Sequence, residues 1–290
     1  MKDIGKCNFI IALVTLAQVA TIVCANDLET SAPKNRAIYL GISDTHPTGS
    51  PSISRDGLIA AYDMETLAEG GKLKDFSGNN NHGTIYQTRV VKGIFGKARQ
   101  FSTVSDYIHL PENPTFALDG PLSVAIWVRL HRLGLHQHML ACDDKFALWI
   151  TPQNNIRFVD TLGDGFQSVD GVATGIWYSI VGVFKGKAGD ILTGDNIAVF
   201  INSKLVEGAA FGRPRKGSND KMWSPGVLHE KDACYIGFES HQGEPTHQKL
   251  QFEGDIDELL IFSRALTLSE VEVHARRDQK WANEQEKQHQ

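Results

Sequence analysis

Between Gly57 and Phe262 the chain breaks into short apolar runs, each closed by turn residues, with no helix-length amphipathic segment among them. The runs fall at residues 58–62, 107–110, 122–130, 139–142, 146–150, 156–159, 177–184, 197–201, 234–238 and 256–262, with Gly, Asn, Asp and Pro between them. Such punctuation predicts an all-β fold, a sandwich or barrel of antiparallel strands, and argues against the strand–helix alternation of a parallel sheet. Residues 122–130 alternate with the period of a strand. Leu122, Val124, Ile126, Val128 and Leu130 share one face, and Ser123, Ala125, Trp127 and Arg129 the other. Asn202 and Ser203, between two short runs, read as a tight hairpin turn. With 290 residues, 41% of them apolar, the chain can close one sizeable core, because all-β units often run long as single domains.

The two ends differ from this middle. Lys2 and Lys6 lead into an apolar run over residues 8–23, and Val23, Cys24 and Ala25 supply small residues at a cleavage site. Residues 1–25 therefore read as an export signal cut after Ala25, with an uncleaved anchor as the rival reading. No later segment has the length of a membrane span. Residues 26–56, rich in Ser, Thr, Pro and Asn, read as a linker with one strand-like run at 37–40. Residues 57–275 are the expected domain and 276–290 a charged helical tail. Thr267 and Glu270 have the spacing of a capping box, in which each side chain satisfies the other's free backbone N–H. The helix that follows, to about Lys280, lacks a strong apolar stripe and is expected to be solvated.

Export would make the protein secreted, or periplasmic in a bacterium, and would leave Cys142 and Cys234 as the mature cysteines. An even pair in an oxidising compartment favours a disulfide across the sandwich over two buried thiols. A net charge of −5 gives no reason to expect nucleic acid or an anionic membrane as the main partner.

Several segments, in order, resemble one family. Gly57-Leu-Ile-Ala-Ala-Tyr62 is similar to its opening strand, and Asp75-Phe-Ser-Gly-Asn-Asn-Asn-His-Gly83 to its Asp-x-Ser-Gly-Asn loop. Gly96-Lys-Ala-Arg-Gln-Phe101 with Asp106-Tyr-Ile-His-Leu110, then the Leu122–Val128 strand, then Gly175-Ile-Trp-Tyr-Ser179, follow in the family's order. The hairpin at 199–206 matches too, with Asn202 and Ser203 in place of Asp-Gly. Phe252-Glu-Gly-Asp-Ile-Asp-Glu-Leu-Leu-Ile-Phe262 resembles the closing strand. On these segments the chain resembles the laminin-G-like domains of the concanavalin A-like lectin/glucanase superfamily, over residues 57–275. The resemblance implies a two-sheet antiparallel jelly-roll sandwich with a short C-terminal helix.

It also implies candidate sites. Related domains often carry a structural calcium ion where the first and last strands meet. Asp257 lies in a closing strand that is apolar on both faces, and alternation puts it with Leu259 and Ile261, opposite Ile256, Leu260 and Phe262. A carboxylate there needs a cation or several donors, and Asp75 and Asn79 of the 75–83 loop could complete an oxygen-rich calcium site. The alternative is that Asp257 accepts backbone N–H bonds. Jelly-roll glucanases place paired carboxylates on one strand, and Glu253, Asp255 and Asp257 superficially match, with Glu258 pointing away. That stretch is nevertheless the family's ordinary closing strand, and no nucleophile-elbow, zinc-peptidase or phosphate-loop motif is present. For ligand binding, the segment 213–226 combines Arg213 and Arg215 with Trp223, the pairing of an aromatic ring and polar groups that suits a sugar; Trp223 could equally pin the loop to the sandwich. The expected function is a non-catalytic recognition module for carbohydrate or a cell-surface glycoconjugate or glycoprotein. A glycan-cleaving hydrolase and a protein-adhesion or structural domain are the alternatives.

Overall fold

A computed structural model describes residues 42–43, 52–142, 145–160, 163–213, 219–225, 233–239 and 250–276. The expected export signal, the strand-like run at 37–40, Arg215 and the tail beyond 276 lie outside these residues. In chain order the strands are β1 (Ile42–Ser43), β2 (Ile53–Ser54), β3 (Leu58–Tyr62), β4 (Thr84–Tyr86), β5 (Arg89–Lys92) and β6 (Lys97–Phe101). Then come β7 (Tyr107–His109), β8 (Leu122–Leu130), β9 (Gln137–Cys142), β10 (Phe146–Ile150), β11 (Asn155–Asp160) and β12 (Gly165–Gly171). The last are β13 (Trp177–Phe184), β14 (Ile197–Ile201), β15 (Lys204–Leu205), β16 (Gly208–Phe211), β17 (Cys234–Ile236) and β18 (Gly254–Phe262), followed by helix α1 (Leu268–Arg276).

These strands form two eight-stranded sheets. The first runs β15-β14-β13-β8-β18-β6-β5, with β3 also paired to β18; the second runs β16-β12-β11-β10-β9-β17-β7-β4. Pairing within both is antiparallel, as the short loops and alternation require. The core lies between them. Leu122, Val124, Ile126, Val128 and Leu130 of β8 meet Phe146, Leu148 and Ile150 of β10 and Ile156 and Phe158 of β11 in one buried cluster. Each such side chain contributes about 1.5–3 kcal/mol on burial. Gly182 is part of this fit: a Cβ there would stand 2.6 Å from the Phe158 ring. The Asn202-Ser203 turn forms as expected, both residues at positive φ (51° and 65°), the twist that joins two strands by two residues.

Four sequence expectations change. Cys142 and Cys234 are bonded, but they are register partners on the adjacent strands β9 and β17. The bridge therefore staples one sheet and does not cross the sandwich. Second, Glu258 adopts φ 39° at a register shift between Asp257 and Leu259. This bulge inserts one residue and reverses the alternation. Ile256, Leu259 and Ile261 face the core, while Asp257 shares the outer face with Leu260 and Phe262.

Third, the helix is not solvated. Val271, Val273 and His274 are buried, and the two valines pack with Ala125, Val181, Leu260 and Phe262 on the outer face of the first sheet. Fourth, packing begins before Gly57. Ile42 and Ile53, on the parallel pair β1–β2, join that same outer cluster. The capping box forms as expected, with the Thr267 N–H donating to Glu270 Oε2 (2.9 Å) and the Glu270 N–H to Thr267 Oγ1 (3.3 Å). Glu270 also accepts from Arg264 (2.6 and 2.8 Å) and from the Ser54 N–H (3.1 Å), which fastens β2 to α1.

Candidate functional site

With the first sheet covered, the outer face of the second sheet is the other large surface of the sandwich. Strand alternation decides what it carries. Since Phe146, Leu148 and Ile150 point inward, Ala147 and Trp149 point out; since Ile156 and Phe158 point inward, Arg157 and Val159 point out. Register then aligns two outward rows. One is His138, Trp149, Arg157 and Gln167 across β9, β10, β11 and β12. The other runs His109, Tyr235, Ala141, Ala147, Val159, Gly165 and Phe211 from β7 to β16. The middle of this second row is small side chains, a low floor between aromatic groups.

At one end of the floor, Tyr86 and Tyr107 stack with ring centroids 4.4 Å apart, and Tyr235 lies 5.0 Å from the His109 ring. On the other side Trp149 is ringed by His136 (4.6 Å), His138 (4.8 Å) and the Arg157 guanidinium (5.1 Å). Arg157 also sits 3.6 Å over the Phe211 ring, and its Nε donates to Gln167 Oε1 at 2.7 Å. Trp149, Arg157, Gln167 and Phe211 are all half-buried. Ala141, Val159 and Tyr235 of the second row are buried, and the half-buried rings of Trp149 and Phe211, with donors and acceptors beside them, are the equipment for holding an amphipathic ligand such as a sugar ring.

The electrostatics of this face are unusual for a strand surface. Burial lowers the Arg157 pKa, and burial together with Arg157's charge lowers that of His136. His138 is fully enclosed, and burial followed by the field of His136 pushes it down to about 3. Its Nε2 lies 3.5 Å from Glu239 Oε2, yet neither ring nitrogen makes a hydrogen bond, nor does the Trp149 indole N–H. Buried polar atoms without partners are uncommon and call for a reason.

The residues expected from sequence lie elsewhere. Trp223 is completely buried and stacked on Phe184 at 4.3 Å, so neither of its ring faces is open to a sugar. It pins its loop, as the alternative held. The Arg213 N–H donates to Asp164 Oδ1 (2.6 Å) and the Ser224 N–H to Asp160 Oδ2 (2.5 Å), so both ends of that loop are anchored on the β11–β12 turn. Asp75 and Asn79 are indeed neighbours of the opening strand. Asp75 accepts from the N–H groups of Ala61, Ser77 and Asn81 and from Ser77 Oγ (2.6–2.9 Å), while Asn79 Nδ2 donates to the carbonyls of Leu58 and Ile59. Asp257 instead accepts from the Phe95 and Glu258 N–H groups.

Asp75 and Asn79 are thus tied to the opening strand, and Asp257 to the turn before β6. The Asp75 oxygens are already occupied by four protein donors, which offset its desolvation without a cation. Among the described residues no group of three or more His, Cys, Asp or Glu side chains could hold a metal. The carboxylates of the closing strand are also away from the open face. Asp255 is buried on the first sheet's outer side, held by Arg129 (2.7 Å) and His131 (2.9 Å), and Glu253 lies 3.5 Å from Arg132.

Sequence reasoning did not single out Trp149, Arg157, His136 or His138 as a site. The available signal was a tryptophan and an arginine at the outward positions of two consecutive strands.

Comparisons with known proteins agree with this architecture. The model of a laminin-G family, described as the concanavalin A-like lectin/glucanases superfamily, matches residues 101–272. No curated protein matches the chain. Among solved structures, domain 4 of AbnA, an extracellular arabinanase from Geobacillus stearothermophilus, in complex with arabinotriose, aligns at TM-score 0.51 and 21% identity, covering 76% of this chain and 98% of that one. Trypanosoma rangeli sialidase with sialic acid aligns at TM-score 0.54 and 14% identity over 83% of this chain but only 37% of the sialidase. At these identities the likeness is one of fold.

Proposed function

Because this chain belongs to the concanavalin A-like lectin/glucanases superfamily, we propose that it is a secreted, non-catalytic recognition module that binds carbohydrate through the outer face of its second sheet. The observation that carries the reading is the Trp149 cluster: rings and polar groups gathered around a floor of small side chains, on the sheet face that no helix covers among the described residues. Fold by itself does not assign a function. Support also comes from the size-matched neighbour, a single domain seen with arabinotriose, and from the sialidase, whose likeness covers about a third of that enzyme. The disulfide is in keeping with an oxidising compartment, as is the signal-like N-terminus. No described helix is long and apolar enough to cross a membrane.

A glycan array, followed by calorimetry on the best ligand, tests the proposal. Wild-type protein is expected to retain oligosaccharides, and Trp149→Ala to weaken the binding at least about tenfold, the loss of a ring contact at the centre of a site. A folded wild type that binds no glycan, or a Trp149→Ala variant that binds as well as wild type, would refute it.

A further inference from the structure

Arg157 gives the second-sheet face a property that sugar stacking alone does not require. Its guanidinium is held between Trp149 and Phe211 and tied by Nε to Gln167. Among the described residues no carboxylate pairs with it, although the arginines of the first sheet's outer side, Arg129 and Arg264, each have one. A cation placed among rings has lost part of its hydration, and without a counter-ion that loss is offset only by the rings and one hydrogen bond. With Nε engaged, the two terminal nitrogens remain, and their N–H groups form a planar fork whose natural complement is a planar carboxylate. The neighbouring imidazoles do not compete for an anion as a second charge would, because burial holds His136 and His138 toward the neutral form. Among the described residues, Glu239 is a further charged side chain at this cluster, beside His138.

We infer that the second-sheet face selects acidic sugars, with the Arg157 fork pairing the carboxylate of a uronic or similar acid while Trp149 and Phe211 flank its ring. This inference rests on the carbohydrate-binding reading and narrows its ligand class.

Calorimetry of the full chain with an oligogalacturonate, a neutral cello-oligosaccharide of equal length and a sulfated heparin fragment separates the cases. The oligogalacturonate is expected to bind about tenfold or more tighter than the neutral chain, the effect of one hydrogen bond to a charged group, and the preference should shrink with added salt. Arg157→Met should cost the oligogalacturonate about tenfold more affinity than it costs the neutral chain, which erases the preference, with Arg157→Lys between wild type and Met. Equal binding of acidic and neutral chains, or an equal loss of both in Arg157→Met, overturns the acid selectivity and leaves the carbohydrate reading standing. Tighter binding of the heparin fragment overturns the carboxylate assignment. If wild type binds none of the three, the acidic-sugar inference fails, and the glycan array decides the carbohydrate reading separately. A second readout needs no variant: a bound carboxylate beside Arg157 should raise the NMR titration midpoint of His136, and an unchanged midpoint with saturating oligogalacturonate counts against the pairing.

Discussion

The two outer faces of the sandwich are built from the same kind of strand and put to different uses. On the first sheet, β1, β2 and α1 cover the surface. His274 is enclosed there, with Nδ1 2.8 Å from Ser179 Oγ, its Nε2 without a partner among the described residues, and its carbonyl accepting from the Trp127 indole. On the second sheet, His138 is equally enclosed but hydrogen-bonded at neither ring nitrogen, and Arg157 beside it lacks a carboxylate among the described residues. Both faces enclose a histidine, but the first gives one ring nitrogen a partner and the second gives neither, and buried polar atoms without partners are uncommon.

The largest expected effect contrasts two tryptophans. Trp223→Ala should destabilise the fold by about 3–5 kcal/mol, the cost of emptying a buried aromatic site, and leave glycan affinity per folded molecule unchanged. Denaturant titration and calorimetry on the same samples measure both quantities. Next is the disulfide, which the second sheet has where the first has a helix. Replacing Cys142 and Cys234 by Ala opens a 92-residue separation and should remove about 3–4 kcal/mol, as read from the denaturation midpoint with and without reductant.

Acid should act through the enclosed histidines. Burial lowers His274 to about 3 in the fold, while the unfolded side chain titrates near 6.5. Below pH 6.5 the unfolded state therefore binds the extra proton, and stability falls as pH drops from about 6.5 toward 3, by about 3 kcal/mol at pH 4. His274→Asn, which can still meet Ser179, should flatten that slope in denaturation curves at pH 4 and 7; an unchanged slope would mean the group is not enclosed. Smaller still, Trp149→Ala should cost less than about 1 kcal/mol of stability, as expected for a half-exposed position, while it weakens sugar binding. Smallest on the covered side, Glu270→Gln should lose about 1 kcal/mol from the helix cap.

Much of this architecture was legible before the coordinates. Alternation in β8, the hairpin at Asn202 and Ser203, and the Thr267–Glu270 box are local patterns, and local geometry honours them. The covering helix was not legible, because its buried face includes Glu270 and His274. Those polar residues break the apolar stripe, and Ser54 and Ser179, distant in sequence, together with the nearby Arg264, make their burial acceptable. The face of Asp257 was misassigned because one residue, Glu258, slips into a bulge and reverses every position on one side of it. The site was missed for a related reason. Trp149 and Arg157 each look like an ordinary solvent-facing strand residue, and only the register of β10 on β11 sets them side by side.

The clasp among Ser54, Arg264 and Glu270 has a consequence for how the molecule can be presented. It gathers the first and last described elements onto one side of the sandwich, behind the first sheet. A support attached near either of them would hold the protein from the back, as a handle does. The Trp149 face would then look away from the support, and two such molecules side by side could address one extended chain.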